Sequence, residues 1–171
     1  MNKRHNNRRF RLDSYKRNDA KAKTALSTHL INEGYFIEEL KEDYKFDLSV
    51  SIDKETQFGT LPFQELYEVE IKNQWGDKWN PDWTEIRIPE RKKRLITLWR
   101  KDYPERPFTF VILNTTVDQG WFIPAETVEK SRIGTIQNSR RIGSPHLKEP
   151  FFHIPMEQAV LKKLNINEKN D

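Results

Sequence analysis

Two short runs, 44–50 and 67–72, alternate apolar and polar residues, the signature of strands buried on one face. In the first, Tyr44, Phe46, Leu48 and Val50 share a face, which leaves Asp47 on the other. In the second, Tyr67, Val69 and Ile71 face the core, so Glu68, Glu70 and Lys72 project together from the opposite side. If the two strands are neighbours, an acid on one meets an acid and a lysine spaced two apart on the next. Hard oxygen ligands with an ammonium beside them are what a Mg²⁺-dependent phosphodiesterase centre requires.

Acid-x-lysine triplets come readily in a chain with 33% charged residues, and five occur, starting at Asp19, Glu39, Asp43, Glu70 and Glu90. Only the fourth lies inside an alternating strand that follows another strand with its own outward acid. The competing interpretation is a solvated sheet face bearing ordinary cross-strand ion pairs.

The arrangement resembles the PD-(D/E)xK nuclease superfamily, which includes many restriction enzymes and archaeal Holliday-junction resolvases. The matching residues are Asp47 and the triplet Glu70, Ile71, Lys72, with Gln74 two further on, as in members reading ExKxQ. The resemblance spans residues 19–124 in its order of elements. It implies an α/β fold with a restriction-endonuclease-like αβββαβ core, a central mixed sheet flanked by helices. It also implies a Mg²⁺ or Mn²⁺ ion on the carboxylates of Asp47 and Glu70 and the carbonyl of Ile71. Asp47, Glu70, Lys72 and Gln74 are then the catalytic set: Lys72 holds the attacking water or offsets transition-state charge, and Gln74 orients water or phosphate. Resolvase-like members often add a glutamate from the first helix, and here 21–25 contains no acid. Asp19, Glu33 and Glu68 are the candidates for a third ligand.

At 171 residues the chain is read as one domain, 19–164, preceded by a basic arm, 1–18, and followed by a frayed tail, 165–171. Mean hydropathy is low at −0.90, yet 10 Phe, 5 Trp and 5 Tyr argue for a folded chain with a small aromatic-rich core. The net charge of +4 is unevenly spread, since Lys3, Arg4, Arg8, Arg9, Arg11, Lys16 and Arg17 face the single acid Asp13 within 1–17. Such an arm suits a polyphosphate, or serves only as a solubilising tail. The absence of cysteine excludes disulfides, thiolate zinc sites and a cysteine nucleophile, and suits a reducing cytosol. With no signal-like or bilayer-length apolar run, the expectation is a soluble cytoplasmic protein without membrane partners.

Along the chain, Asp19 is placed to cap a helix over 19–33 that ends at Gly34, with His29 packed in its apolar stripe. A strand over 35–40 leads to the Asp47 strand, and 53–63 reads as a loop because of Gly59 and Pro62. Trp75, Trp79 and Trp83 read mainly as packing, with base stacking as the alternative. Pro89 opens a helix over 90–101 whose first turn carries Arg91, Lys92, Lys93 and Arg94. Four cations there oppose the helix dipole, so they read as phosphate contacts. Strands at 107–115 and 120–123 and a helical turn from Pro124 follow. A basic loop beyond Lys130 holds Arg132, Arg140 and Arg141, before an edge strand at 151–154 and a closing helix at 155–164. Arg8, Arg9, Arg91 to Arg94, Arg140 and Arg141 are therefore the candidate nucleic-acid contacts. The function expected is metal-dependent endonucleolytic cleavage of double-stranded or branched DNA, in a possible homodimer. The alternative is a non-catalytic nucleic-acid-binding or assembly protein that keeps the nuclease fold.

Overall fold

The computed structural model describes residues 12–38, 46–135 and 149–167, with side chains of the first helix from Arg17 onward. In chain order the elements are α1 (Leu12–Asn32), β1 (Phe36–Ile37), β2 (Leu48–Thr56), β3 (Gly59–Ile71) and β4 (Glu85–Pro89). Next come α2 (Lys93–Asp102), β5 (Phe108–Leu113), β6 (Gln119–Pro124) and α3 (Ala125–Lys130). The last three are β7 (Arg132–Thr135), β8 (Pro150–Pro155) and β9 (Val160–Lys163). The class is α/β, with a mixed six-stranded sheet ordered β1-β2-β3-β5-β6-β9 and a smaller sheet ordered β4-β8-β7. β3 and β5 are parallel, whereas the other neighbours in the large sheet are antiparallel. A parallel pair needs a crossover, and the chain supplies it through β4 and α2.

Alternation along β5 explains why the large sheet is covered on both faces. Val111 and Leu113 pack with Ala22, Leu26 and Leu30 of α1, together with Tyr67 and Val69 of β3. Phe108, Phe110 and Ile112 point the other way, into Trp99 of α2, Ile88 of β4 and Phe152 of β8. Residues buried on both sides give β5 the continuous apolar run read from its sequence.

Several boundaries differ from the sequence expectation. The first helix begins at Leu12, because 12–18 contains neither Gly nor Pro to stop it. Asp19 is thus not a cap but lies inside α1, paired with Lys23 one turn on at 3.1 Å. The first strand shrinks to Phe36–Ile37, and 39–45 falls outside the described residues. The expected loop at 53–63 is a long hairpin, with Gly59 at φ +98° in its turn. Pro62 fits there because β5 pairs with β3 only from Leu66 onward, so the missing N–H costs no ladder bond on that edge.

The helix opened by Pro89 starts as a 3₁₀ turn, Glu90–Lys92, before becoming α2. Arg132 and Gly134 lie in β7 rather than a loop, and β8 is the central strand of the small sheet rather than an edge. The closing helix is absent: a 3₁₀ turn, Met156–Gln158, leads into β9, which completes the free edge of β6. Residues 165–167 are tied down, since the Asn165 N–H donates to His29 Nδ1 at 2.9 Å and Asn32 donates to the Asn165 carbonyl at 2.9 Å. His29 is accordingly the packed core histidine expected. No described helix is long and apolar enough to cross a membrane.

Candidate functional site

β2 and β3 pair from Thr56↔Gly59 as far as Leu48↔Tyr67, and there β2 leaves the sheet. The chain bends at Phe46 and Asp47, just before the strand. This corrects the expected single face: Leu48 and Val50 stay with α1, while Phe46 crosses the sheet to pack on Phe108. The departing strand leaves the Val69 N–H without a ladder partner. Asp47 Oδ2 accepts that hydrogen bond at 2.8 Å, so the carboxylate stands in for the missing backbone. Its Oδ1 lies 3.3 Å from Lys23 Nζ, and Lys23 joins Asp47 to Asp19.

Glu68 and Glu70 project from β3 toward the α2 side, as the alternation requires. Between them stands Lys92, its ammonium 2.7 Å from Glu68 and 3.1 Å from Glu70. Lys72 follows the last residue of β3, half-buried, with Nζ 4.8 Å from the centre of the Trp83 ring. The site thus gathers four carboxyl groups (Asp19, Asp47, Glu68, Glu70) and three ammonium groups (Lys23, Lys72, Lys92), with Arg87 close enough to act on Lys72. Among the described residues, no group of three or more His, Asp or Glu side chains stands ready to hold a metal ion.

Burial and mutual proximity perturb these groups. Burial pulls the Lys92 ammonium down, but Glu70 and Glu68 outweigh it and hold its pKa above the ordinary lysine range. Lys72 goes the other way, lowered by burial and by Arg87, with Glu70 offsetting only part. Glu68 is pushed up to about 7, mainly by burial, with Asp47 adding to the rise and Lys92 opposing it.

A carboxyl raised from 4.5 to about 7 binds its proton more tightly when folded. Its stabilising contribution is therefore complete below the unfolded value and disappears as pH rises through the folded one. Relative to Glu68→Gln, the wild type is expected to lose on the order of 1–2 kcal/mol of stability between pH 5 and pH 8. Urea unfolding of both proteins across that range checks this, and a flat or reversed difference contradicts the assignment.

The other expected residues divide. Ile71 ends β3, with its neighbour's Lys72 N–H bonded to the Leu113 carbonyl at 2.8 Å, so the strand is firmly seated at the triplet. Gln74 does not share the face of Glu70: the Trp75 N–H bonds back to the Lys72 carbonyl, and Gln74 stands exposed in that turn. Glu33 is at the far end of α1, within 3.5 Å of Asn165, which leaves Glu68 and Asp19 as the acids near Asp47. Lys92 is not a free phosphate contact but is committed to two carboxylates. Arg91 pairs with Glu149, while Lys93 and Arg94 are exposed. Arg8, Arg9, Arg140 and Arg141 lie outside the described residues.

Trp75 is fully buried, with Trp79 and Trp83 partly buried against the same core, as packing predicts. Trp79 meets Trp75 and Trp83 edge to face at 5.1 and 4.9 Å. This aromatic chain, without any helix, carries the wall against which Lys72 rests. Sequence reasoning missed Lys23 and assigned Lys92 to phosphate rather than to Glu68 and Glu70. The signal for Lys92 was present in four cations crowding a helix start, one of which needed an acid to neutralise it. No protein-family model, curated protein or solved structure matches the chain.

Proposed function

We propose that this chain is a Mg²⁺- or Mn²⁺-dependent endonuclease of the PD-(D/E)xK type, acting on double-stranded or branched DNA. The observation that carries this reading is Asp47 beside Glu68 where β2 leaves β3, with Glu70 joined to Glu68 through Lys92 and Lys72 within the field of Glu70. The order of elements supports it: a helix, three antiparallel strands, a crossover helix, and a strand parallel to the third. β4 and the small sheet it joins are additions to that plan.

The donor set suits a hard divalent cation. All the candidate ligands are oxygens, carboxylates together with the Ile71 carbonyl, and the position between Glu68 and Glu70 already accommodates a positive charge. Asp47 and Glu70 are the ligands this reading assigns, with Glu68 or Asp19 completing the set in place of Glu33. When bound, the ion supplies Lewis acidity toward water and phosphate. Lys72, desolvated against Trp83 and held near Glu70, offers a cation to the charge that builds on the phosphate. Lys93 and Arg94, exposed on the same segment, position the backbone without reading its bases.

A second reading has its own observation. Lys92 neutralises Glu68 and Glu70 internally, which is what a binding protein retaining the fold would look like. Digestion of plasmid and branched DNA with Mg²⁺ or with EDTA separates the two, comparing wild type with Asp47→Ala and Lys72→Ala. Metal-dependent cleavage lost in both variants, with DNA binding kept, supports the enzyme. Absence of cleavage by a folded wild type on any DNA substrate supports the binding protein.

A further inference from the structure

Lys92 occupies an unusual position for one of four consecutive cations. Its side chain is only 15% exposed, and its ammonium reaches both Glu68 and Glu70. The 3₁₀ turn that carries it follows directly on β4, whose last residue, Pro89, pairs with Phe151 of β8. The base of the side chain is therefore set by the small sheet, while its tip ends on the large one. Assembling a buried ion cluster is expensive in desolvation, and apolar residues at all three positions would fill the same space with less cost. What Lys92 provides that an apolar residue cannot is positive charge at the point shared by two carboxylates.

We propose that Lys92 is a built-in competitor for the divalent ion. Without metal its ammonium holds Glu68 and Glu70, and the ion enters only by displacing it. This inference rests on the reading of Asp47 and Glu70 as metal ligands. Displacement has a direct consequence, because the released ammonium is carried beside exposed Lys93 and Arg94 and needs a new counter-ion. A backbone phosphate satisfies that need, so metal and nucleic acid strengthen each other's binding through one side chain. The protein alone is then kept weakly loaded, and loading rises when substrate arrives.

Calorimetric titration of Mn²⁺ into the full chain, without nucleic acid, tests the competition. Lys92→Met is expected to bind Mn²⁺ ~10-fold more tightly than wild type, the loss of one competing charge. Lys92→Arg is expected to restore the weak binding. Thermal unfolding supplies a second readout: Lys92→Met melts below wild type without metal and is raised more than wild type by Mn²⁺. A purely structural ion pair predicts the lower melting point without the larger rescue, and that result overturns the proposal. Equal or weaker Mn²⁺ binding by Lys92→Met also overturns it, while loss of wild-type binding in Glu70→Gln would keep the metal reading intact. If neither wild type nor Lys92→Met binds Mn²⁺, both readings fall. Lys92→Gln, which keeps a hydrogen-bond donor for the carboxylates, replaces the Met variant if that one does not fold.

Discussion

Under the proposed nuclease reading, Glu70→Gln is expected to lower metal-dependent DNA cleavage by ~10³-fold or more, and Lys72→Ala by ~10²–10³-fold. The two effects have different origins. Glutamine keeps the shape of Glu70 but removes the charge that a divalent ligand needs, and it leaves Lys92 to pair with Glu68 alone. Alanine at 72 leaves the carboxylates untouched and removes the cation resting 4.8 Å from the Trp83 ring centre. Metal affinity should therefore fall in the first variant and hold in the second. Single-turnover cleavage of a duplex with Mg²⁺, alongside Mn²⁺ titration, reads both quantities. Activity within tenfold of wild type in either variant would remove that residue from the chemistry. Folding is checked in the same samples, because Glu70 is half-buried and Lys72 packs on an aromatic wall.

The β3 half of this site was legible because alternation is a local property. Tyr67, Val69 and Ile71 mark one face of β3, so Glu68 and Glu70 had to occupy the other, and the bend that follows begins only at Lys72. Asp47 was legible as a residue but not as a geometry. The same alternation predicted that Phe46, Asp47 and Leu48 continue a strand, whereas the chain bends there and Asp47 caps the Val69 N–H. That bend arises from tertiary packing of Phe46 against Phe108, which no short window of sequence contains. Gln74 failed for a related reason, since a motif written as a fixed spacing assumes an extended chain and here the strand has ended.

Lys92 needed information from a distance. It is 24 residues from Glu68, and only the β4–β8 ladder brings its turn over the sheet. The C-terminal elements were misread on similar grounds. Residues 160–163 carry no strong period, and their conformation is decided by the free edge of β6 that they complete.

Phe108→Ala is expected to produce a large loss of stability, about 3–5 kcal/mol. Phe108 is 1% exposed and opens β5, opposite Leu66 of β3. Its ring lies 4.9 Å from Phe46, 4.7 Å from Phe110 and 6.0 Å from Trp99. Removing it opens a cavity bounded by a strand, a helix and the segment that carries Asp47. Because these walls belong to different elements, none can relax inward without disturbing its own ladder or helix, so little of the cavity closes. Typical domains hold only ~5–15 kcal/mol in total, so the variant should unfold at clearly lower urea and temperature. Phe58→Ala is the matched control: its ring is 80% exposed at the hairpin tip, and its removal should change stability by less than ~0.5 kcal/mol. A specific consequence separates Phe108 from other core residues. Phe46 loses its main aromatic neighbour, so the bend that aims Asp47 loosens, and Mn²⁺ affinity should fall even at temperatures where the variant is fully folded. Unfolding curves with less than ~1 kcal/mol between Phe108→Ala and wild type would refute the packing argument. Unchanged Mn²⁺ affinity in a folded but destabilised variant would show that Asp47 is held by the Val69 and Lys23 contacts alone.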